Sequence, residues 1–277
     1  MERIKMKISA VVITKNEEKM IANCINTLRW CDEIIVVDNG SKDLTVDIAE
    51  REGAVVETLQ DGSFAELRNR GAELVQFDWI LYIDADERVT PHLKHEISRV
   101  VRAQTFDAYM IPRRNIHYGA WMQFGGWQDD TVVRLFRKSA LQKWEGSIHE
   151  HAEVIGSTGL LHEAVVHLTH RSFMEGMQKT MAWTSLEASL MFDAHHPKMK
   201  SWRFFRIFFG ALFYRYIWKK GWKDGVRGCI ESFTQAMNRF IVYEQLWELQ
   251  QEPTLEKEYE KIDDDIERLW EKEEQRA

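Results

Sequence analysis

The sequence predicts an α/β fold, a mostly parallel sheet flanked by helices, with a helical C-terminal extension. Three observations carry this reading. Short apolar runs at 7–13 (KISAVVI), 33–37 (EIIVV) and 79–83 (WILYI) alternate with segments of helical period, the pattern of βαβ units. The runs are too short and too β-branched for helices, and they read as strands buried on both faces of a parallel sheet. From Ser172 onward the strand pattern gives way to long helical periods. The expected division is an α/β domain over 1–171 and a helical region over 172–277.

The elements follow in order. The first strand runs into Thr14-Lys15-Asn16-Glu17, then a helix is expected over 18–30 with Ile21, Cys24, Ile25 and Leu28 on one face. The second strand ends in Asp38-Asn39-Gly40, a turn signal, and Asp43 is placed to cap a helix reaching Glu52. Gly53 stops that helix, and 54–57 is a third strand. A helix over 64–77 carries Arg68 and Asn69, and Asp78 turns the chain into WILYI. Beyond it come a helix over 91–103 with proline in its first turn, a strand over 107–111, a loose stretch over 119–130 and a strand over 132–136. Further short segments span 147–154 and 164–170.

Composition narrows the function. A net charge of −7 excludes a nucleic-acid surface, which needs clustered cations. Three cysteines without paired spacing indicate reduced core residues, not a disulfide framework. No secretory signal is read at the start, and no apolar run is long enough to span a bilayer. A cytoplasmic protein is expected. Neither G-x-G-x-x-G after the first strand nor G-x-x-x-x-G-K-[ST] occurs, so dinucleotide oxidoreductases and P-loop hydrolases are excluded.

Right-handed crossovers bring the carboxyl ends of parallel strands to one edge, where such sheets bind ligands. Thr14–Glu17, Asp38 and Asp84–Glu87 should therefore line one crevice. Asp84, Asp86 and Glu87 fall within four positions and would repel one another without a cation. A hard divalent ion bringing substrate phosphates answers this, against the alternative of a solvated acidic turn. The spacing is not that of an EF-hand, because Val89 and His95 stand where glycine and glutamate belong. The stretch 119–130 (GAWMQFGGWQDD) mixes glycine, flat rings and a final acidic pair, as a loop covering a sugar would. His149, His151, His167 and His170 lack zincin spacing, and one of them is a candidate extra metal ligand or phosphate contact.

In the C-terminal region, 198–220 (KMKSWRFFRIFFGALFYRYIWKK) sets aromatic and aliphatic residues among lysines and arginines. That suits an in-plane helix at a membrane surface, the alternative being a helix packed on the catalytic domain. After Pro253, Leu255, Tyr259, Ile262, Ile266 and Leu269 recur at intervals of four and three, a short heptad stripe over 255–270 able to pair with a second chain or dock on its own.

These motifs together resemble the inverting GT-A glycosyltransferases of family 2, in particular the branch of lipopolysaccharide core glucosyltransferases. The matching residues are ISAVVITKNEE (8–18), EIIVVDNGSKDLTVDIAE (33–50), ELRNRGAE (66–73), WILYIDADERVTP (79–91), GGWQDDTVVRLFRK (125–138), EGSIHEHAE (145–153) and KKGWKDGVRG (219–228). The resemblance implies that Thr14, Asn16 and Glu17 border the base and ribose of a nucleotide, that Asp38 accepts from a uracil and that Arg68 lies nearby. It implies that Asp84 faces ribose and metal and that Asp86 ligates Mg²⁺ or Mn²⁺ on the phosphates of a UDP-sugar. The general base is implied among Asp130, Asp129 and Glu150, in that order, although the family's usual Glu-Asp pair is Asp-Asp here. The acceptor is then an envelope glycan or glycolipid, the transferred sugar glucose, and the location the inner face of the cytoplasmic membrane. Two rivals are a sugar-nucleotide pyrophosphorylase, whose glycine- and arginine-rich signature the TKNEE segment does not supply, and a non-catalytic sugar-nucleotide-binding or membrane scaffold protein.

Overall fold

The computed structural model describes residues 7–146, 150–169 and 171–275 and, within them, all side chains but those of Lys179 and Ala182. The chain forms two units, Met1–Ser172 and Phe173–Ala277.

The first unit has the α/β fold that the sequence predicts. Its elements in order are β1 (Ile8–Thr14), α1 (Ile21–Asn26), β2 (Glu33–Asp38), α2 (Thr45–Arg51), β3 (Val55–Thr58), α3 (Phe64–Leu74), β4 (Trp79–Asp84), β5 (Glu87–Arg88), α4 (Pro91–Ala103), β6 (Ala108–His117), β7 (Ala120–Trp121), β8 (Thr131–Arg137), β9 (Leu141–Glu145), β10 (His151–Val154), β11 (Thr158–Leu160) and β12 (Val165–Leu168). The main path of the sheet is β3-β2-β1-β4-β8-β6-β12-β5. β1 pairs in parallel with both β2 and β4, while β8 runs antiparallel to β4 and to β6. β12 then lies parallel to β6, setting His167 opposite Asn115.

All seven residues of β1 are buried, as expected of the central strand of a sheet covered on both faces. One face packs Ile21, Cys24, Leu28, Leu93 and Ile97 of the α1 and α4 regions against Ala10, Val12, Leu81 and Ile83. The other packs Ala65 and Leu67 of α3 and Trp144 of β9 against Val11, Ile80, Tyr82 and Phe136. The sequence makes these helices by recognisable means. Ser63 and Glu66 form a capping box at the start of α3, and Thr90 caps α4 ahead of Pro91. Gly71 lets α3 approach β1 closely, since a Cβ there would stand 2.4 Å from Val11 Cγ1.

The helix expected over 64–77 ends at Leu74, β7, β9 and β11 have no counterpart in the sequence reading, and two further departures lie near the site. The helix expected over 18–30 is regular only over Ile21–Asn26, with turns on either side. The strand expected to end at 111 continues through Pro112 to His117. Pro112 is tolerated because it pairs with Thr131, the first residue of β8, where the ladder between the two strands ends.

The second unit contains α5 (Phe173–Asp193), α6 (Ser201–Leu212), a π-helical segment (Phe213–Trp218), a 3₁₀ turn (Gly221–Asp224), α7 (Gly225–Leu249) and α8 (Leu255–Glu274). Ala188, Met199, Val242 and Leu246 form its buried centre, with Phe204 and Ile207 packed on them. The 3₁₀ turn closes tightly on α7, and a Cβ on Gly228 would stand 1.9 Å from Gly221 O. On α6, Trp202, Phe205 and Phe209 are exposed, as is Phe213 just after it. On α8 every residue from Glu256 to Glu274 is exposed. Among the described residues no helix is long and apolar enough to cross a membrane.

Candidate active site

The carboxyl ends of β2, β1 and β4 meet as the topology requires. Thr14 is level with Asp38, and Ile13 is level with Asp84. The loops after β1 and β2 are laced to each other. Asn16 N donates to Ser41 Oγ at 2.8 Å, Lys42 N donates to Asn16 Oδ1 at 2.8 Å and Glu17 N donates to Thr45 Oγ1 at 2.8 Å. Asn16 adopts φ +54°, a left-handed conformation that asparagine tolerates better than most residues. Asp38 is buried and accepts from Ser41 N at 2.8 Å and Ser41 Oγ at 2.5 Å, which holds the second loop in place. Thr14 Oγ1 is buried with no partner.

Asp84 ends β4 between two buried arginines. Its Oδ1 accepts from Arg68 Nη2 at 3.1 Å and its Oδ2 from Arg134 Nη2 at 2.5 Å. Burial alone would push its carboxyl up; the charges of Arg134 and Arg68 outweigh that and hold it below the usual carboxylate range. Arg68 also donates to Glu150 Oε1 at 3.0 Å and lies 4.8 Å over the Trp144 ring. Beneath them Glu87 is fully buried, its Oε2 accepting from Asp84 N at 2.9 Å. Burial and the neighbouring Asp84 push the Glu87 carboxyl up. Arg68 Nη1 and Arg134 Nε and Nη1 are buried donors without acceptors. Native structures rarely leave such groups unsatisfied, so these N–H groups have capacity for an anion.

A second chain of contacts crosses the sheet. Arg113 grips Asp130 as a fork, Nε to Oδ2 at 2.9 Å and Nη2 to Oδ1 at 3.0 Å. Asn115 Nδ2 donates to Asp130 Oδ2 at 2.8 Å, and Asn115 Oδ1 lies 2.6 Å from His167 Nδ1. His167 Nε2 faces Asp86 Oδ2 at 3.5 Å. Burial would raise the Asp130 carboxyl, but Arg113 and Asn115 hold it below its ordinary value. For His167 burial acts downward and Asp86 upward, with a net rise.

The sequence-predicted residues therefore fall into three groups. Thr14, Asn16, Glu17 and Asp38 form one laced rim. Asp84, Arg68 and Glu150 share one ion-pair cluster, and Asp86 and Asp130 are joined through His167 and Asn115. Asp129 is exposed beside Asp130. His149 and His170 lie outside the described residues. Sequence reasoning missed Arg113 and Asn115. Their alternation with His117 on one strand face was the available signal, and stopping the strand at Pro112 hid it.

Among the described residues no three His, Cys, Asp or Glu side chains converge as a self-contained metal cage. A Mg²⁺-like ion does not need one, because it takes one or two protein ligands and completes its shell with water and substrate phosphate. Both oxygens of Asp84 face guanidinium groups, which leaves Asp86 and His167 as the protein donors. Adjacent ligands of an octahedral ion with bonds of ~2.1 Å lie ~3.0 Å apart, and the 3.5 Å between Asp86 Oδ2 and His167 Nε2 is close to that. The residues present fit the ion.

A mixed, mainly parallel sheet with an acidic loop after its central strand and a second carboxylate linked to that loop through Asn115 and His167 is the arrangement of a GT-A glycosyltransferase. The chain belongs to glycosyl transferase family 2, whose sequence profile matches residues 9–152. An uncharacterized glycosyltransferase of Rickettsia conorii is 28% identical over 256 residues, 85% of this chain and 88% of the relative. The lipopolysaccharide core biosynthesis glycosyltransferase LpsC of Rhizobium meliloti is 24% identical over 255 residues, 88% of this chain and 93% of LpsC. Among solved structures, TarS of S. aureus (residues 1–349, with UDP-GlcNAc) aligns at a TM-score of 0.48 and 15% identity, covering 88% of this chain and 90% of that one.

Proposed function

We propose that this glycosyltransferase is inverting and moves a sugar, glucose first among candidates, from a UDP-sugar to a hydroxyl of an envelope glycan or lipid-linked acceptor with the help of Mg²⁺ or Mn²⁺. The observation that carries it is the pairing of Asp86 with His167 and, one side chain away through Asn115, the oriented carboxylate of Asp130. The similarity to LpsC supports the acceptor class.

In this reading Asp38 accepts from the uracil N–H, since each of its oxygens keeps a free lone pair after bonding Ser41. Thr14, Asn16 and Glu17 border the base and ribose. Arg68 and Arg134 offer their unpaired N–H groups to the diphosphate and hold Asp84 fixed at its edge. Asp86 and His167 hold the cation, which when bound neutralises charge on the departing UDP. Asp130 takes the proton from the acceptor hydroxyl. It stays ionised at neutral pH, is held by the Arg113 fork and keeps a free lone pair on Oδ1. Asp129 and Glu150 are the second and third choices for the base, and Glu150 is less available because Arg68 holds it. The protein works at the inner face of the membrane, a placement supported by exposed Trp202, Phe205 and Phe209 interleaved with Arg203 and Arg206.

The test is UDP release from a panel of UDP-sugars with Mn²⁺ and lipid-linked glycan extracts. Asp86→Ala should abolish turnover and retain the fold, and Asp130→Asn should lower kcat by ~10²-fold or more. No UDP release by folded wild-type protein with any donor contradicts the proposal and favours a non-catalytic scaffold.

A further inference from the structure

Asn115 is fully buried and touches both halves of the proposed machinery without belonging to either. Strand register places it there: on β6 it lies directly opposite His167 of β12, two residues from Arg113 and therefore on the same face. Its amide orientation follows from chemistry. The ionised Asp130 can only accept, so the Asn115 amide nitrogen must face it, as the 2.8 Å contact has it. The Asn115 carbonyl oxygen then faces His167 Nδ1 at 2.6 Å and can only accept in turn. Nδ1 is thereby the protonated nitrogen of the ring. Asp86 Oδ2 is also an acceptor, but at 3.5 Å from Nε2 against 2.6 Å for the amide oxygen at Nδ1 it is the weaker one, so the neutral ring keeps its proton on Nδ1 and leaves Nε2 for a cation.

We infer that Asn115 is a positioning residue that couples the two sides of the site: one amide fixes the tautomer and rotation of His167 and at the same time orients the carboxylate of Asp130. Partners of this kind around ligating histidines set ring orientation and ligand strength. The inference rests on the roles proposed above for His167 and Asp130, but the tautomer does not depend on them.

Two substitutions separate the two arms. Asn115→Leu removes both contacts while keeping the number of side-chain heavy atoms. Asn115→Asp keeps an oxygen toward His167 and sets a second carboxylate against Asp130. The histidine tautomer is read by ¹⁵N-detected NMR of metal-free protein at a pH where the ring is neutral, and Mn²⁺ affinity is read by electron paramagnetic resonance in the presence of UDP. In wild type His167 should be the Nδ1–H form. Asn115→Leu should shift the ring toward the Nε2–H form and weaken Mn²⁺·UDP binding about 10- to 100-fold. Asn115→Asp should keep the tautomer and the Mn²⁺ affinity and lower kcat about 10- to 100-fold at little change in KM.

An Nε2–H ring in wild type, or a tautomer indifferent to Asn115→Leu in folded protein, overturns the inference. Should Asn115→Leu fail to fold, the wild-type spectrum and Asn115→Asp still decide it. Absence of Mn²⁺·UDP binding in wild type would count against the metal-assisted reading of the enzyme, while the tautomer still decides the role of Asn115.

Discussion

Asp84 shows how a motif acid can be engaged by structure as well as by ligand. Its two oxygens tie together Arg68 and Arg134, each of which is almost wholly buried. Asp84→Asn would leave Arg134 with a weakened, neutral acceptor and Arg68 with Glu150 as its one charged partner, a cost of about 1–3 kcal/mol measurable by urea denaturation. Asp84 and Asp130 both have folded-state pKa values below those of the unfolded chain. Their contribution is thus fully present above the unfolded carboxylate pKa, about 4, and is lost as pH falls through the lower folded values. The stability of wild type should therefore fall on acidification below about pH 4, and Asp130→Asn should flatten that limb while lowering stability at neutral pH. An acid limb unchanged in Asp130→Asn would refute the assignment. Asp38, Asp84 and Asp86 were legible in the sequence because they sit where strands leave the sheet, whereas Asp130 and Glu150 were reached only through the family resemblance. The partners of these acids were not legible, because which cation faces which acid depends on register between β6, β8 and β12, and sequence spacing does not encode that register.

At the level of elements, the close approach of α3 to β1 is set by one residue. Gly71→Ala places a methyl group 2.4 Å from Val11 Cγ1, and it should destabilise by about 1–3 kcal/mol, as overpacking in a tight core does. Val11→Ala in the same chain should recover part of that loss, and additive losses would show that the contact is not the cause. The βαβ order of β1 to β4 was readable from apolar runs because buried parallel strands carry no competing signal. β6 was less readable: its alternating polar residues face the site, and proline broke the pattern at Pro112. The helix after β1 was overread because its apolar spacing continues into turns at both ends, where Glu17 and Glu18 bond the loop after β2 through their backbone N–H groups.

At the level of the whole molecule, the second unit has features that the chemistry does not require. The exposed aromatic residues of α6, flanked by cations within a chain of net charge −7, should bind anionic vesicles. Flotation should be lost when Phe205 and Phe209 are replaced by serine and when salt is raised, and flotation indifferent to both would refute membrane docking by this face. The heptad stripe of α8 is flanked by Glu256, Glu258, Asp263 and Asp265. Two such stripes repel, so any self-association through α8 should strengthen with salt in sedimentation equilibrium. The central claim concerns the turn after β4, where Asp86 lies beside His167 of the neighbouring strand β12. Crystals grown with UDP and Mn²⁺, measured at the manganese absorption edge, test it most directly. The account predicts one anomalous peak shared by Asp86 Oδ2, His167 Nε2 and the diphosphate. A bound UDP without manganese, or manganese held by Asp84 and touching neither Asp86 nor His167, would contradict it.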